Sequence, residues 1–164
     1  MKAIKFDNPG GSDVLYLAEI DIPEPADDQI LLKNHSIGIN RPDILQRNGL
    51  YPPPSNASPI LGLESSGEVI KVGRKVSKWK VGDMACALTP GGSYAEFVVC
   101  NENHALKIPK NVSIIEAASL PETFFTVWIN LVKRVNLKKN DLILIHGGSS
   151  GIGITSIQIA KALG

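Results

Sequence analysis

Up to about residue 110 the apolar positions fall in short runs, many with a partial two-residue alternation, bounded by Gly, Pro, Asn or Asp. This pattern predicts strands at Lys2–Phe6, Tyr16–Ile20, Gln29–Ile39, Glu68–Val72, Asp83–Leu88, Tyr94–Cys100 and Ala105–Ile108. Short strands in this succession imply a small, largely antiparallel barrel. The segment Gly49–Pro59 has four prolines in eleven residues. Each proline fixes φ and removes a backbone donor, so this segment is expected to be an irregular surface loop.

After this region the period lengthens. Ser113 and Glu116 have capping-box spacing, with Ile114, Ile115, Ala117 and Ala118 following. Pro121 interrupts, and Thr123–Val135 then carries Phe124, Val127, Trp128, Leu131 and Val135 on one helical face. A helical linker is therefore expected between two regions. Leu142–Ile145 is a continuous apolar run after the turn-like Lys139-Asn140-Asp141, which predicts a parallel strand buried on both faces. Gly147-Gly148-Ser149-Ser150-Gly151-Ile152-Gly153 comes next, then a helical pattern through Ile154, Ile157, Ile159, Ala160 and Leu163.

Strand, glycine-rich turn and helix in that order allow the helix N-terminal N–H groups to converge on an anion such as a dinucleotide pyrophosphate. Read as G-x-G-x-x-G, the positions are Gly148, Ser150 and Gly153, a variant with Ser at the close-approach position. Two readings stand at this level. Gly148, Ser149, Ser150, Gly151, Ile152 and Gly153 hold a dinucleotide, or the glycines serve only a tight turn. One strand and one helix cannot bury both faces of a dinucleotide-binding sheet, so an incomplete, truncated domain is expected. The residue that reads the ribose 2′ position falls beyond the chain, so NADPH and NADH both remain open.

Charge removes some functions. Seventeen basic and sixteen acidic side chains give +1 over 164 residues, too little for a field that attracts nucleic acid or an anionic membrane. No apolar run is long enough to span a bilayer, and Met1–Asp7 is charged where a secretory signal is apolar, so a cytoplasmic protein is expected. Cys86 and Cys100 form no close metal or redox pair, and His35, His104 and His146 are scattered, so no metal site is expected.

Asn40–Pro54, Gly62-Leu63-Glu64-Ser65-Ser66-Gly67-Glu68-Val69, Val81-Gly82-Asp83, Gly92-Ser93-Tyr94-Ala95-Glu96 and Ala117–Thr123 together resemble the zinc-independent NAD(P)H:quinone oxidoreductases of the medium-chain dehydrogenase/reductase superfamily. The resemblance covers essentially the whole chain. It implies a mainly β GroES-like barrel over residues 1–120, lacking its C-terminal elements. A linker helix and the first strand and helix of an incomplete α/β Rossmann domain would follow over residues 121–164. It also implies a quinone or similar reactive carbonyl compound as acceptor, NADPH as cofactor with NADH open, and a homodimer in the full-length form.

Zinc enzymes of the superfamily have Cys where this chain has Asn40 and a Gly-His-Glu histidine where it has Leu63. Neither an amide nor Leu supplies a thiolate or imidazole ligand. By the same resemblance Asn40, Asp43 and Tyr51 face the acceptor, with Tyr51 a hydroxyl donor and Asn40 a polar positioning group. Thr123 would contact the nicotinamide side of the cofactor. Each has a structural counterpart: Asn40 and Asp43 as caps of a helical turn over Asp43–Arg47, Tyr51 as an apolar clamp, and Thr123 as a helix cap. Glu64 reads as a structural hydrogen-bonding residue rather than a base. Two other functions remain open, an enoyl or alkenal double-bond reductase and a catalytically inactive truncated binding or association module.

Overall fold

The β-branched and leucine-rich runs form seven strands: β1 Lys2–Lys5, β2 Tyr16–Glu19, β3 Gln29–Ile37, β4 Glu64–Val72, β5 Met84–Leu88, β6 Phe97–Asn101 and β7 Ala105–Lys107. The computed structural model describes every residue, Met1–Gly164, and divides into two compact units, Met1–Ser119 and Leu120–Gly164. In the first unit five strands lie in the order β6-β3-β4-β5-β7, and each neighbouring pair is antiparallel. The expected mainly β barrel is thus a curved half-barrel. The strand predicted from Glu68 starts earlier, at Glu64, because Glu64–Gly67 pairs with Leu88–Ala85. The one predicted from Tyr94 starts only at Phe97, because Gly92-Ser93-Tyr94 bonds instead to the Ile60-Leu61-Gly62 segment.

The inward-facing positions supply the core: Ile30 and Leu32 of β3, Val69 of β4, Ala85 and Ala87 of β5, Val98 and Cys100 of β6, Ala105 of β7, and Trp79. Burying one large aliphatic side chain contributes about 1.5–3 kcal/mol. Burial also pushes the Cys100 thiol up to about 12, so it behaves as a small apolar residue. Trp79 is anchored by its indole N–H, which donates to the Glu102 carbonyl oxygen at 3.0 Å. The Glu102 carboxylate accepts from the backbone N–H groups of Ser77 and Lys78, which hold it below the usual carboxylate range.

The two-stranded β1–β2 ribbon is joined to the Tyr94–Glu96 segment. Ile4 N–H donates to the Tyr94 oxygen at 2.8 Å and Glu96 N–H to the Lys2 oxygen at 3.0 Å. Helix α1 spans Arg41–Arg47 and α2 spans Ile114–Ala117. The predicted Ser113–Glu116 capping box is present: Glu116 N–H donates to Ser113 Oγ at 3.2 Å, and Glu116 Oε2 accepts from Ser113 N–H at 2.9 Å. Replacing Ser113 by Ala is expected to lower stability by about 1 kcal/mol, read as a lower urea midpoint with an unchanged slope.

In the second unit α3 spans Pro121–Val127 and runs into a wider, π-helical stretch over Trp128–Arg134. Val135 N–H reaches back five residues to the Asn130 oxygen. The widening shifts the expected apolar face, and Trp128 and Val135 are exposed. Helix α4 spans Gly151–Leu163 and packs against α3. The strand expected at Leu142–Ile145 is absent. A parallel strand forms only against a neighbouring strand, and this unit has none, so Leu142 and Leu144 lie exposed in an irregular segment. No helix is long and apolar enough to cross a membrane.

Candidate functional site

In the half-barrel the chain leaves β3 and turns into α1 through Asn40, the extended N-cap residue, with Pro42 in the first turn. The helix starts two residues earlier than the turn predicted over Asp43–Arg47, because Arg41 and Pro42 already have helical geometry. Asp43 reaches back to cap it, Oδ2 accepting from Asn40 N–H at 2.8 Å. The Asn40 side chain faces the Asp43 backbone N–H in capping-box fashion, and its Nδ2–H donates to Glu64 Oε1 at 2.8 Å. Asn40 thus lies between two carboxylates, Asp43 and Glu64, each only 2% exposed.

Tyr94 completes the group. Its hydroxyl donates to Asp43 Oδ2 at 3.0 Å across 51 residues of sequence. Burial pushes the Asp43 carboxyl upward, opposed by the Asn40 N–H, the Tyr94 hydroxyl and the Gly62 N–H. Burial and the neighbouring Asp43 charge together drive the Tyr94 phenol far above its ordinary value, so it stays a donor. Gly62 has φ +100°, and a Cβ there would lie 2.4 Å from Tyr94 Cδ1. Asn40 and Asp43 are brought together at the start of α1. Tyr51 does not join them: it is 44% exposed on the proline-rich loop, and no hydrogen bond links it to either.

Sequence reasoning missed the part of Tyr94. Its only signal was membership of the Gly92–Glu96 motif, with nothing to pair it with Asp43. Glu64 makes hydrogen bonds, as expected, with Asn40 as one partner.

In the second unit Ser150 is the N-cap of the thirteen-residue α4. Its Oγ accepts from Gly153 N–H at 3.0 Å and donates to the Gly147 oxygen at 2.8 Å. The hydroxyl therefore shapes the turn, and the backbone N–H groups of Gly151 and Ile152 have no acceptor within the helix. A Cβ at Gly153 would lie 2.3 Å from the Gly147 oxygen, so only glycine lets the turn sit this close to the helix. Ser149, Ser150, Gly151 and Ile152 are exposed. Thr123 lies on α3 beside this turn, its Cγ2 3.3 Å from where a Gly151 Cβ would be, and its hydroxyl donates to the Leu120 oxygen at 3.4 Å. A narrow glycine turn presenting helix N-terminal donors fits a dinucleotide pyrophosphate. No three His, Cys, Asp or Glu side chains cluster as metal ligands would.

An antiparallel half-barrel is thus followed in the chain by a helix entered through a glycine-rich turn. The chain belongs to the alcohol dehydrogenase GroES-like domain family, whose pattern matches residues 26–110. It is 34% identical over 170 aligned residues to a Sus scrofa quinone oxidoreductase, covering 100% of this chain and 50% of that protein. The structure of Escherichia coli quinone oxidoreductase complexed with NADPH is similar at 36% identity and TM-score 0.85, covering 100% of this chain and 50% of that one. The CurK enoyl reductase is similar at 27% identity and TM-score 0.89, covering 99% and 52%. The chain thus spans about half the length of the curated relatives it matches.

Proposed function

We propose that this chain carries the acceptor-side residues and the first dinucleotide-binding turn of an NAD(P)H-dependent quinone oxidoreductase that works without zinc. The observation that carries the reading is the turn at Gly147–Gly153, with the Gly151 and Ile152 N–H groups open at the start of α4. Support also comes from the quinone oxidoreductases among its relatives. Bound NADPH would supply the hydride. Gly148, Ser149, Ser150, Gly151, Ile152 and Gly153 would hold its pyrophosphate, and Thr123 would contact the nicotinamide side.

Reduction of a quinone puts negative charge on its oxygen, and groups that donate to that oxygen lower the barrier. The Asn40 amide has a second Nδ2–H besides the one given to Glu64, and Tyr51 is an exposed hydroxyl on a loop of the same unit. Asp43 holds the Asn40 main chain in place. Zinc independence rests on Asn40 and Leu63, neither of which is a zinc ligand.

Titrating the chain with NADPH by calorimetry tests the reading without assuming an acceptor. Micromolar affinity is expected, weakened about tenfold in Ser150→Val, which removes the cap that shapes the turn. No binding by the wild-type chain would overturn the cofactor role of this turn. The likeness to CurK enoyl reductase favours a second reading, reduction of an activated carbon–carbon double bond. Faster NADPH oxidation with an α,β-unsaturated carbonyl compound than with benzoquinone would put that reading first.

A further inference from the structure

The group around Asn40 has one member that no motif assigns a role. Tyr94 is held by hydrogen bonds to the backbone on both sides of it. Its backbone N–H donates to the Leu61 oxygen at 2.9 Å, and its own oxygen accepts from Ile4 N–H at 2.8 Å. On either side the Asn34 amide donates to the Ser93 oxygen at 3.2 Å and to the Ala95 oxygen at 2.8 Å. The ring lies where Gly62 leaves room for it. A phenol held this firmly places its oxygen within narrow limits, and that oxygen donates to Asp43 Oδ2, the same atom that accepts from Asn40 N–H. Asp43 Oδ1 makes no hydrogen bond of its own. The two hydrogen bonds to Oδ2, from Tyr94 and from Asn40, therefore orient the carboxylate, with the Gly62 N–H also favouring its charged form. Glu64 then orients the far end of Asn40, because a carboxylate oxygen bonded to the amide requires Nδ2, not Oδ1, on its side.

We propose that Tyr94 is a positioning residue of the acceptor side: acting through the Asp43 carboxylate, its hydroxyl fixes the Asn40 main chain so that the Asn40 amide meets Glu64 in one orientation and presents its remaining N–H to the acceptor oxygen. The inference rests on the acceptor role given above to Asn40. A purely structural Tyr94 would work through its ring, packed at Gly62, and its hydroxyl would be dispensable. A positioning Tyr94 works through the hydroxyl, and only while Asp43 is there to transmit it.

Tyr94→Phe separates the two, because it keeps the ring and removes one oxygen. Three signals are followed by NMR in the 164-residue chain: the Asp43 side-chain carboxyl during a pH titration, the Asn40 side-chain amide, and that amide again during addition of 1,4-naphthoquinone. Tyr94 is the titratable side chain hydrogen-bonded to Asp43, and Glu64 bonds the Asn40 amide beside it. The Tyr94 hydroxyl bonds the charged carboxylate, so its loss leaves burial less opposed and Asp43 titrates at higher pH. In the same variant the Asn40 amide signals move and naphthoquinone binds about tenfold more weakly.

A second variant tests transmission. In an Asp43→Asn background, Tyr94→Phe is expected to add little to the change at Asn40, since the coupling passes through the carboxylate. An unaltered Asp43 titration and an unmoved Asn40 amide in Tyr94→Phe overturn the proposal, as do fully additive effects in the double variant. If the wild-type chain does not bind naphthoquinone at the Asn40 amide, the acceptor reading fails and the proposed positioning role falls with it. The Asp43 titration then still reports whether Tyr94 holds Asp43, which keeps the two failures distinct.

Discussion

Gly153→Ala should abolish most NADPH binding while leaving the half-barrel folded. The added Cβ would lie 2.3 Å from the Gly147 oxygen and 2.7 Å from Gly148 Cα, both backbone atoms that no rotamer change can move aside. The turn must lift away from α4, and the Gly153 N–H contact to Ser150 Oγ is lost with it. Overpacking of this kind costs about 1–3 kcal/mol. When the distorted group is the binding surface itself, that corresponds to roughly 5–150-fold in affinity. Calorimetry with NADPH reads the loss, and circular dichroism reads how much of α4 survives. Gly148→Ala is the control for the geometry: its Cβ would meet only Ile157 Cδ1 at 3.6 Å, an ordinary contact, so helix content should not change. Equal loss of helix in both variants would show that close turn-to-helix packing at Gly153 is not what shapes the turn.

Gly62→Ala should destabilise the half-barrel through backbone strain and close packing together. At φ +100° any L side chain is strained, at about 1–3 kcal/mol. The methyl would also press on the Tyr94 ring, the Tyr94 backbone nitrogen and Ser93 Cβ, all within 2.9 Å. Displacing them adds about 1–3 kcal/mol more. The thermal midpoint is then expected to fall by on the order of 10 °C. Gly82 provides the comparison, since its φ of +92° is similar and nothing lies within 4 Å of its Cβ position. Gly82→Ala should therefore show the backbone strain alone. The difference between the two variants isolates the cost of moving Tyr94, and similar midpoints would refute the close packing at Gly62. The Asp43 titration should also move upward in Gly62→Ala, because a displaced Tyr94 no longer favours the charged carboxylate.

Much of this molecule is local in origin and was legible in the residues alone. Strands β1, β2, β3, β5 and β7 follow two-residue alternation and the turn residues around it, and their ends lie within two residues of expectation. The Ser113–Glu116 cap needs three residues of spacing and nothing else. The start of α4 follows from glycines beside a helical period. The capping capacity of Asn40 and Asp43 was legible from their residue types, but that Asp43 lies inside the helix and bonds back to the Asn40 N–H was not.

Tertiary structure decided the rest. An apolar run such as Leu142–Ile145 has the composition of a buried strand, but a strand exists only through hydrogen bonds to a neighbour, and this unit has no partner for it. The early start of β4 and late start of β6 likewise reflect which segments are available to pair. The Tyr94–Asp43 bond joins positions 51 apart, and the contact of Asn40 with Glu64 spans 24 residues. Hydrophobic period and capping chemistry act within a few residues, so they are written in the chain. Contacts between distant segments depend on how the sheet closes, and only there does a tyrosine in a glycine-flanked loop become the group that holds Asn40 in place.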